Sequence, residues 1–304
     1  MQGSGKSLLI VLTTIVLLLP LRAFGAAEAI RLKYGLSLYT DEKGVGLNQP
    51  EGVACGENRL VVADTGSGRL LLYTLRGGDP TGGKEVKLSQ VLYPQRVRIS
   101  PKGDIIVLDG RQRKVSILGP DGAFRQHLEF GGLPGGSTVV PAGIDVDGND
   151  NLYVLDILAG RVLVFGADGK FQRQIDFPKS FGFFTDLAVD PKGTVFLIDA
   201  VDAMVYSNAK DPTVLAPITG TLKNDLKFAG SISLDSGGAL YITDQNSGGV
   251  IVVGKDGTVR ARLLTLGWKE GTVRYPTQLC VDKAGDLFVA DRANNRIQEF
   301  TPLK

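Results

Sequence analysis

The sequence predicts an all-β fold in which six tandem four-stranded antiparallel sheets close into a ring. Three observations carry this. Six mainly apolar four-residue runs end in aspartate, at Asp64, Asp109, Asp156, Asp199, Asp244 and Asp291. Their intervals of 45, 47, 43, 45 and 47 residues fit one small sheet plus its turns, the period of a β-propeller blade. Glycine supplies 40 of 304 residues, about twice the usual share of roughly 7%, as a fold with many tight turns requires. No amphipathic helical stretch of useful length breaks the pattern.

Taken in order, residues 1–27 differ from the rest. Lys6 precedes a mostly apolar run from Leu8 to Leu21, and the small residues Gly25, Ala26 and Ala27 follow. This is the plan of a secretory signal cleaved near Ala27, which makes residues 28–304 an exported, periplasmic or extracellular protein. The run is shorter than the about 20 residues of a membrane span, so membrane attachment is expected only through an uncleaved signal. Gly3-Ser-Gly-Lys-Ser7 imitates the end of a phosphate-binding loop, but no strand precedes it and its first glycine has no position to occupy.

Each repeat then reads as strand A, hairpin, strand B, turn, strand C, hairpin, strand D. In the last one, Pro276–Asp282 is A, Asp286–Asp291 is B and Arg292–Phe300 contains C. Pro101-Lys-Gly, Asp147-Gly, Pro191-Lys-Gly and Ser236-Gly-Gly supply the A–B turns, and Asp121-Gly, Asp168-Gly and Asp256-Gly the C–D turns. Strand B is continuously apolar, as in Ile105–Leu108, so both its faces must be buried, and stacking between neighbouring blades achieves this. The last repeat lacks a D strand, while Ile30–Tyr39 is strand-like and unassigned. Placed together they give a six-bladed β-propeller closed by an N-terminal strand that completes the last blade, with no open edge at the junction.

Removing Lys6 and Arg22 leaves 32 basic residues against 32 acidic ones. A formally neutral protein lacks the basic field a nucleic-acid binder uses, so no nucleic-acid partner is expected. The two cysteines, Cys55 and Cys280, lie in the A strands of the first and last repeats. Ring closure makes those blades neighbours, and the sulfurs either bond across the interface or remain small buried thiols.

Phe288-Val-Ala-Asp-Arg-Ala-Asn-Asn-Arg-Ile-Gln-Glu-Phe300 closely resembles the signature of NHL repeats, and Val61-Val-Ala-Asp-Thr-Gly-Ser-Gly-Arg-Leu70 is a second match. All six repeats take part, the fourth and fifth more weakly, because Met204 and Gly249 replace the basic residue found at Arg69, Lys114, Arg161 and Arg296. The resemblance implies a six-bladed propeller that serves as a binding platform, with a minority of related propellers acting as metal-dependent lactonases, lyases or synthases.

The six aspartates recur at one turn per blade, so they are assigned a structural role, accepting backbone N–H groups or pairing with the basic residue five positions on. The only histidine, His127, falls in an outer strand, which argues against zinc chemistry. Calcium would need only oxygen ligands. Asp145–Asn151 resembles a calcium loop but falls on an A–B hairpin, where the turn reading is preferred. A calcium-dependent lactonase or lyase would instead use the channel mouth, where Glu51, Arg96, Asp186, Ser231 and Gln278 (with Gln95) stand near the starts of the A strands. Arg96 would repel the cation there.

The repeats diverge most at blades 3 and 4, on the face of D–A connections and B–C turns. There Ile157, Leu158, Phe181, Phe183, Phe184 and Val201 form an apolar group, joined by the basic turns of Arg111, Arg113 and Arg292. Either these residues form a recognition patch or the phenylalanines pack into the blade 3–4 interface. The expected function is an exported monomeric, non-catalytic binding or scaffold module without cofactor. Its ligand is a protein or other extracytoplasmic molecule, and the calcium enzyme is the alternative.

Overall fold

Strand β1 (Leu32–Leu38) precedes the repeats, and five complete blades follow. Blade 1 comprises β2 (Gly52–Cys55), β3 (Arg59–Asp64), β4 (Arg69–Arg76) and β5 (Asp79–Val86). Blade 2 comprises β6 (Pro94–Ile99), β7 (Ile105–Asp109), β8 (Lys114–Leu118) and β9 (Phe124–His127). Blade 3 comprises β10 (Pro141–Val146), β11 (Leu152–Asp156), β12 (Arg161–Phe165) and β13 (Phe171–Asp176). Blade 4 comprises β14 (Phe184–Val189), β15 (Val195–Asp199), β16 (Met204–Ser207) and the two-residue β17 (Ala216–Pro217). Blade 5 comprises β18 (Ala229–Leu234), β19 (Leu240–Asp244), β20 (Gly249–Val253) and β21 (Val259–Leu263). Blade 6 has β22 (Pro276–Val281), β23 (Leu287–Asp291) and β24 (Arg296–Pro302). The computed structural model describes residues 30–77 and 79–303, so the expected signal at 1–27 lies outside the described residues.

The missing strand of blade 6 is β1. It pairs antiparallel with β24 from Leu32 opposite Pro302 to Leu38 opposite Ile297, giving the order β1-β24-β23-β22. The first and last described strands therefore meet in one sheet. A second closure lies nearer the axis, where Cys55 of β2 and Cys280 of β22 form a disulfide with Cα atoms 5.8 Å apart. The open alternative left by sequence is resolved in favour of the bond.

Apart from half-buried Arg59 at the start of β3, every B strand is buried along its length because its alternate side chains enter different interblade cores. Val61 packs with Val107 between blades 1 and 2, while its neighbour Val62 packs with Phe288 between blades 6 and 1. Leu108 and Val154, Leu155 and Leu197, Ile198 and Ile242, and Val252 and Leu287 continue the ring. Each fully buried aliphatic or aromatic side chain contributes about 1.5–3 kcal/mol, so the interblade layers hold the disc together. The A strands line the axis. The D–A connections and B–C turns lie on one face, and the A–B and C–D turns on the other.

Candidate binding face

On the first face the repeated aspartates hold each blade's incoming connection, and in blades 2 to 6 they tie it to the blade's own B–C turn. Asp109 accepts from the N–H of Leu92 and Tyr93 at 2.8 and 2.9 Å, and from Arg111 and Gln112 at 3.0 and 2.8 Å. Asp199 does the same for Gly182 and Phe183 on one side and for Val201 and Asp202 on the other. Asp244 holds Lys227, Phe228, Asn246 and Ser247. In blades 1, 3 and 6 a buried guanidinium joins, with Arg69, Arg161 and Arg296 placing Nε at 2.7, 3.0 and 2.7 Å from Asp64, Asp156 and Asp291. All six carboxylates are buried, so these corners fix the loops from beneath and leave the loop tips free.

The fourth residue after each aspartate is left-handed: Gly68, Arg113, Gly160, Ala203, Gly248 and Asn295 all have φ between 50° and 69°. That bend turns the chain from strand B into strand C. Arg113 and Ala203 adopt it against the preference of a residue with a Cβ.

The apolar group divides. Phe184 is 1% exposed and packs among Phe177, Phe181 and Tyr206, so the structure corrects its assignment to the surface. It pairs with Asp199 in the register position that Pro94, Pro141 and Pro276 occupy opposite their aspartates, a buried position in every case. Ile157 is half-buried against the same cluster. Phe181, Phe183, Leu158 and Val201 remain 38%, 45%, 57% and 56% exposed. Gly182 permits this arrangement, because a Cβ there would lie 2.5 Å from that of Val201.

Arg111 and Arg113 are exposed, the former 4.2 Å over the ring of Tyr93. Arg292 is engaged: its Nε lies 3.0 Å from Glu51, Nη2 donates to Gln49, and its guanidinium lies 5.4 Å over Tyr275.

Sequence reasoning missed the most exposed aromatic, Trp268, along with Leu266 and Tyr275 in the connection into blade 6. Leu92, Phe228, Tyr39 and Val45 complete the set in other D–A connections. The available signal was the length of the 264–275 connection and the single tryptophan within it, which belongs to no repeat position.

In the channel Glu51, Ser231 and Gln278 are hydrogen-bonded, whereas Arg96 Nε, Arg98 Nη2 and Asp186 Oδ1 are buried without a hydrogen-bond partner among the described residues. Gln278 crosses from blade 6 to accept from the N–H of Val53 and Val97, both at 3.3 Å, and to donate to Val97 O at 3.0 Å. Glu51 accepts from Tyr93, Gln95 and Arg292. Ser231 Oγ lies 3.3 Å from Thr243 Oγ1. Arg96 donates to Gly230 O, and Asp186 accepts from Ile232 N at 3.3 Å.

Asp186 holds the same third position of its A strand as Arg96, Ser231 and Gln278, all of them buried, and has Arg98 Nη2 at 3.9 Å. Burial pushes its carboxyl above the ordinary aspartate range, opposed by Arg96 and Arg98. Among the described residues no three His, Cys, Asp or Glu side chains gather as a metal site. The Asp145–Asn151 segment is the end of β10 followed by its A–B turn. Asp147 accepts from the N–H of Asn149 and Asn151, from the Asn151 amide and from Tyr153. His127 sits in β9 with Nδ1 3.1 Å from Ser116 Oγ, and burial lowers its pKa.

The opposite face opens into a funnel of about 690 Å³ lined by the ends of the A strands, with the disulfide in its wall and Arg98 and Asp145 at 3.0 Å from each other.

Residues 273–300 match the family model described as NHL repeat. Protein wech of Drosophila melanogaster is 53% identical over 38 residues, 12% of this chain and 5% of that protein, so the chain spans a small part of that relative. Among solved structures, a streptogramin B lyase is 14% identical with a TM-score of 0.63, covering 91% of this chain and 99% of that one. A luciferin-regenerating enzyme is 16% identical with a TM-score of 0.61, covering 88% and 96%. At such identities the likeness is one of fold.

Proposed function

We propose that this chain, an NHL-repeat six-bladed β-propeller, is an exported, non-catalytic binding module that holds its partner on the face of D–A connections and B–C turns. One observation carries the reading. Of the fourteen large hydrophobic side chains exposed among the described residues, eleven lie in those loops. Only Val214, Val259 and Leu303 lie elsewhere. Apolar surface concentrated on one face marks a place of association.

The disulfide supports export, since such bonds persist in oxidising compartments. A non-catalytic role is supported by Glu51 and Gln278, which would have to abandon their partners to ligate calcium, and by Arg96 and Arg98, whose positive charge lies beside the free oxygen of Asp186.

The test is affinity capture from extracytoplasmic extract, comparing wild type with Phe183→Ser plus Leu158→Ser, both exposed and so compatible with folding. Recovery of the partner is expected to fall at least tenfold, as when central interface anchors are removed. Undiminished recovery would remove this face from the function. Hydrolysis of a lactone panel that chelation abolishes would replace the reading with the calcium enzyme.

A further inference from the structure

The loops that carry the exposed hydrophobics also carry a charge imbalance that the neutral total conceals. In the D–A connections and B–C turns nine exposed Lys and Arg residues, among them Lys227, Lys269 and Arg274, face only three exposed acids, Glu42, Glu129 and Glu270. In the A–B and C–D turns of the opposite face the count among described residues is six against five. The basic excess and the apolar excess therefore coincide on one side of the disc.

The apolar groups are dispersed around that side. Tyr39 and Val45 lead into blade 1, Leu92 into blade 2, Leu158 belongs to blade 3, Phe181, Phe183 and Val201 to blade 4, Phe228 leads into blade 5, and Leu266, Trp268 and Tyr275 into blade 6. A folded protein partner gains most from a pooled, fully desolvated cluster. The cavity of about 560 Å³ on this face, between blades 1 and 2, is instead lined largely by polar side chains such as Asn48, Gln49, Thr65 and Ser89. One to three apolar tips at every blade, interspersed with cations and with a tryptophan 76% exposed, fit a flat and fluid counterpart. Tryptophan and tyrosine prefer the headgroup level of a bilayer, and each basic residue near an anionic leaflet strengthens binding about fivefold.

We propose that this face docks on an anionic lipid surface, with Trp268 and Leu266 entering the headgroup region and the surrounding lysines and arginines contacting lipid phosphates. The proposal rests on the binding-face reading above and names its partner. Asymmetric charge would also orient the approaching disc, because the opposite face lacks the basic excess.

Trp268 is the only tryptophan in the chain, so its fluorescence reports on this face alone. Residues 28–304 contain all strands of the ring, and leaving out the apolar N-terminal run keeps it from inserting by itself. This form is mixed with pure phosphatidylcholine vesicles and with equimolar phosphatidylcholine and phosphatidylglycerol vesicles. The expected result is co-sedimentation and a blue shift of emission with the anionic vesicles only, reversed by raised salt. Lys227→Glu plus Lys269→Glu should weaken binding at least tenfold, and Trp268→Ser should do so without altering charge. Lys192→Glu plus Lys255→Glu, on the opposite face, should leave it unchanged. Equal loss from the opposite-face pair, or no binding to anionic vesicles, overturns the lipid proposal. If vesicles fail while the Phe183 and Leu158 variant still loses a captured protein, the binding face stands and only its lipid partner is wrong. Failure of both removes the face itself.

Discussion

Blade 6 and blade 4 are built from the same repeat and have been put to different uses. Blade 6 contains the first and last described strands, carries one half of the disulfide, and surrounds Asp291 with Arg296, Gln298 and Asn294. Blade 4 has Met204 in place of the arginine, an outer strand of two residues, and an aspartate met by four backbone N–H groups. Its loops expose Phe181, Phe183 and Val201. Where the ring must be locked, the repeat keeps its buried ion pair. Where the surface must offer apolar groups, a backbone-only corner suffices and the side chains are released outward.

The sharpest way to break the comparison is to open the lock. Replacing Cys55 and Cys280 by serine removes a cross-link that spans 225 residues. It should cost about 3–5 kcal/mol of stability in urea unfolding without reductant, because the closed loop is long. A loss under about 1 kcal/mol would mean that the β1–β24 pairing alone carries closure and that the disulfide is redundant.

Next come the two corners. Asp291→Ala strands the buried Arg296, 2% exposed, and should cost about 3–5 kcal/mol. Asp199→Ala frees only backbone donors near water and should cost about 2 kcal/mol. It should also speed amide exchange at both Phe183 and Val201, since one carboxylate holds both loops. Equal costs at the two sites would end the distinction between locked and released blades.

Much of blade 6 was legible beforehand. A missing last strand and an unassigned first one, with cysteines in the first and last A strands, leave little choice once the period is seen. Blade 4 was legible in part, because strand periodicity says which strand residues are inside but says nothing of loops. Phe184 was misplaced with its neighbours although it stands in the register slot of the buried prolines. Trp268 escaped notice because it lies in a connection outside the repeat, where superposition offers no reference. The commitments of Gln278 and Asp186 across the channel depend on which blade faces which, information absent from any one repeat.

The seam has its own pH dependence. Glu299 of β24 is 4% exposed, and burial, reinforced by Asp286, Asp79 and Asp282, raises its carboxyl from 4.5 to about 7. The folded state therefore binds this proton more tightly than the unfolded chain. The stability it confers is complete below pH 4.5 and is lost as pH rises through about 7. Glu299→Gln should accordingly raise the melting temperature at pH 8 more than at pH 5. An equal rise at both would mean that Glu299 keeps an ordinary pKa, and blade 4, with no acidic residue on the corresponding strand β16, supplies the reference.

The smallest effect separates turn residues that suit their conformation from those that do not. In blade 6 the left-handed position is Asn295, whose side chain also accepts from Gln49 N at 2.8 Å, so Asn295→Gly should lose stability. In blade 2 the position is Arg113, exposed and with φ 56°, and Arg113→Gly should gain about 0.5–1 kcal/mol by relieving its Cβ. Ala203→Gly in blade 4 relieves the same strain, but it removes a methyl group 3% exposed against Leu222 and Leu226. Relief and lost burial, each about 0.8–1 kcal/mol, nearly cancel. Thermal melts of the three variants should therefore rank Arg113→Gly above Ala203→Gly and Ala203→Gly above Asn295→Gly. An inverted order would show that the left-handed turn is not strained at Arg113 and that blade 2 belongs with the locked blades.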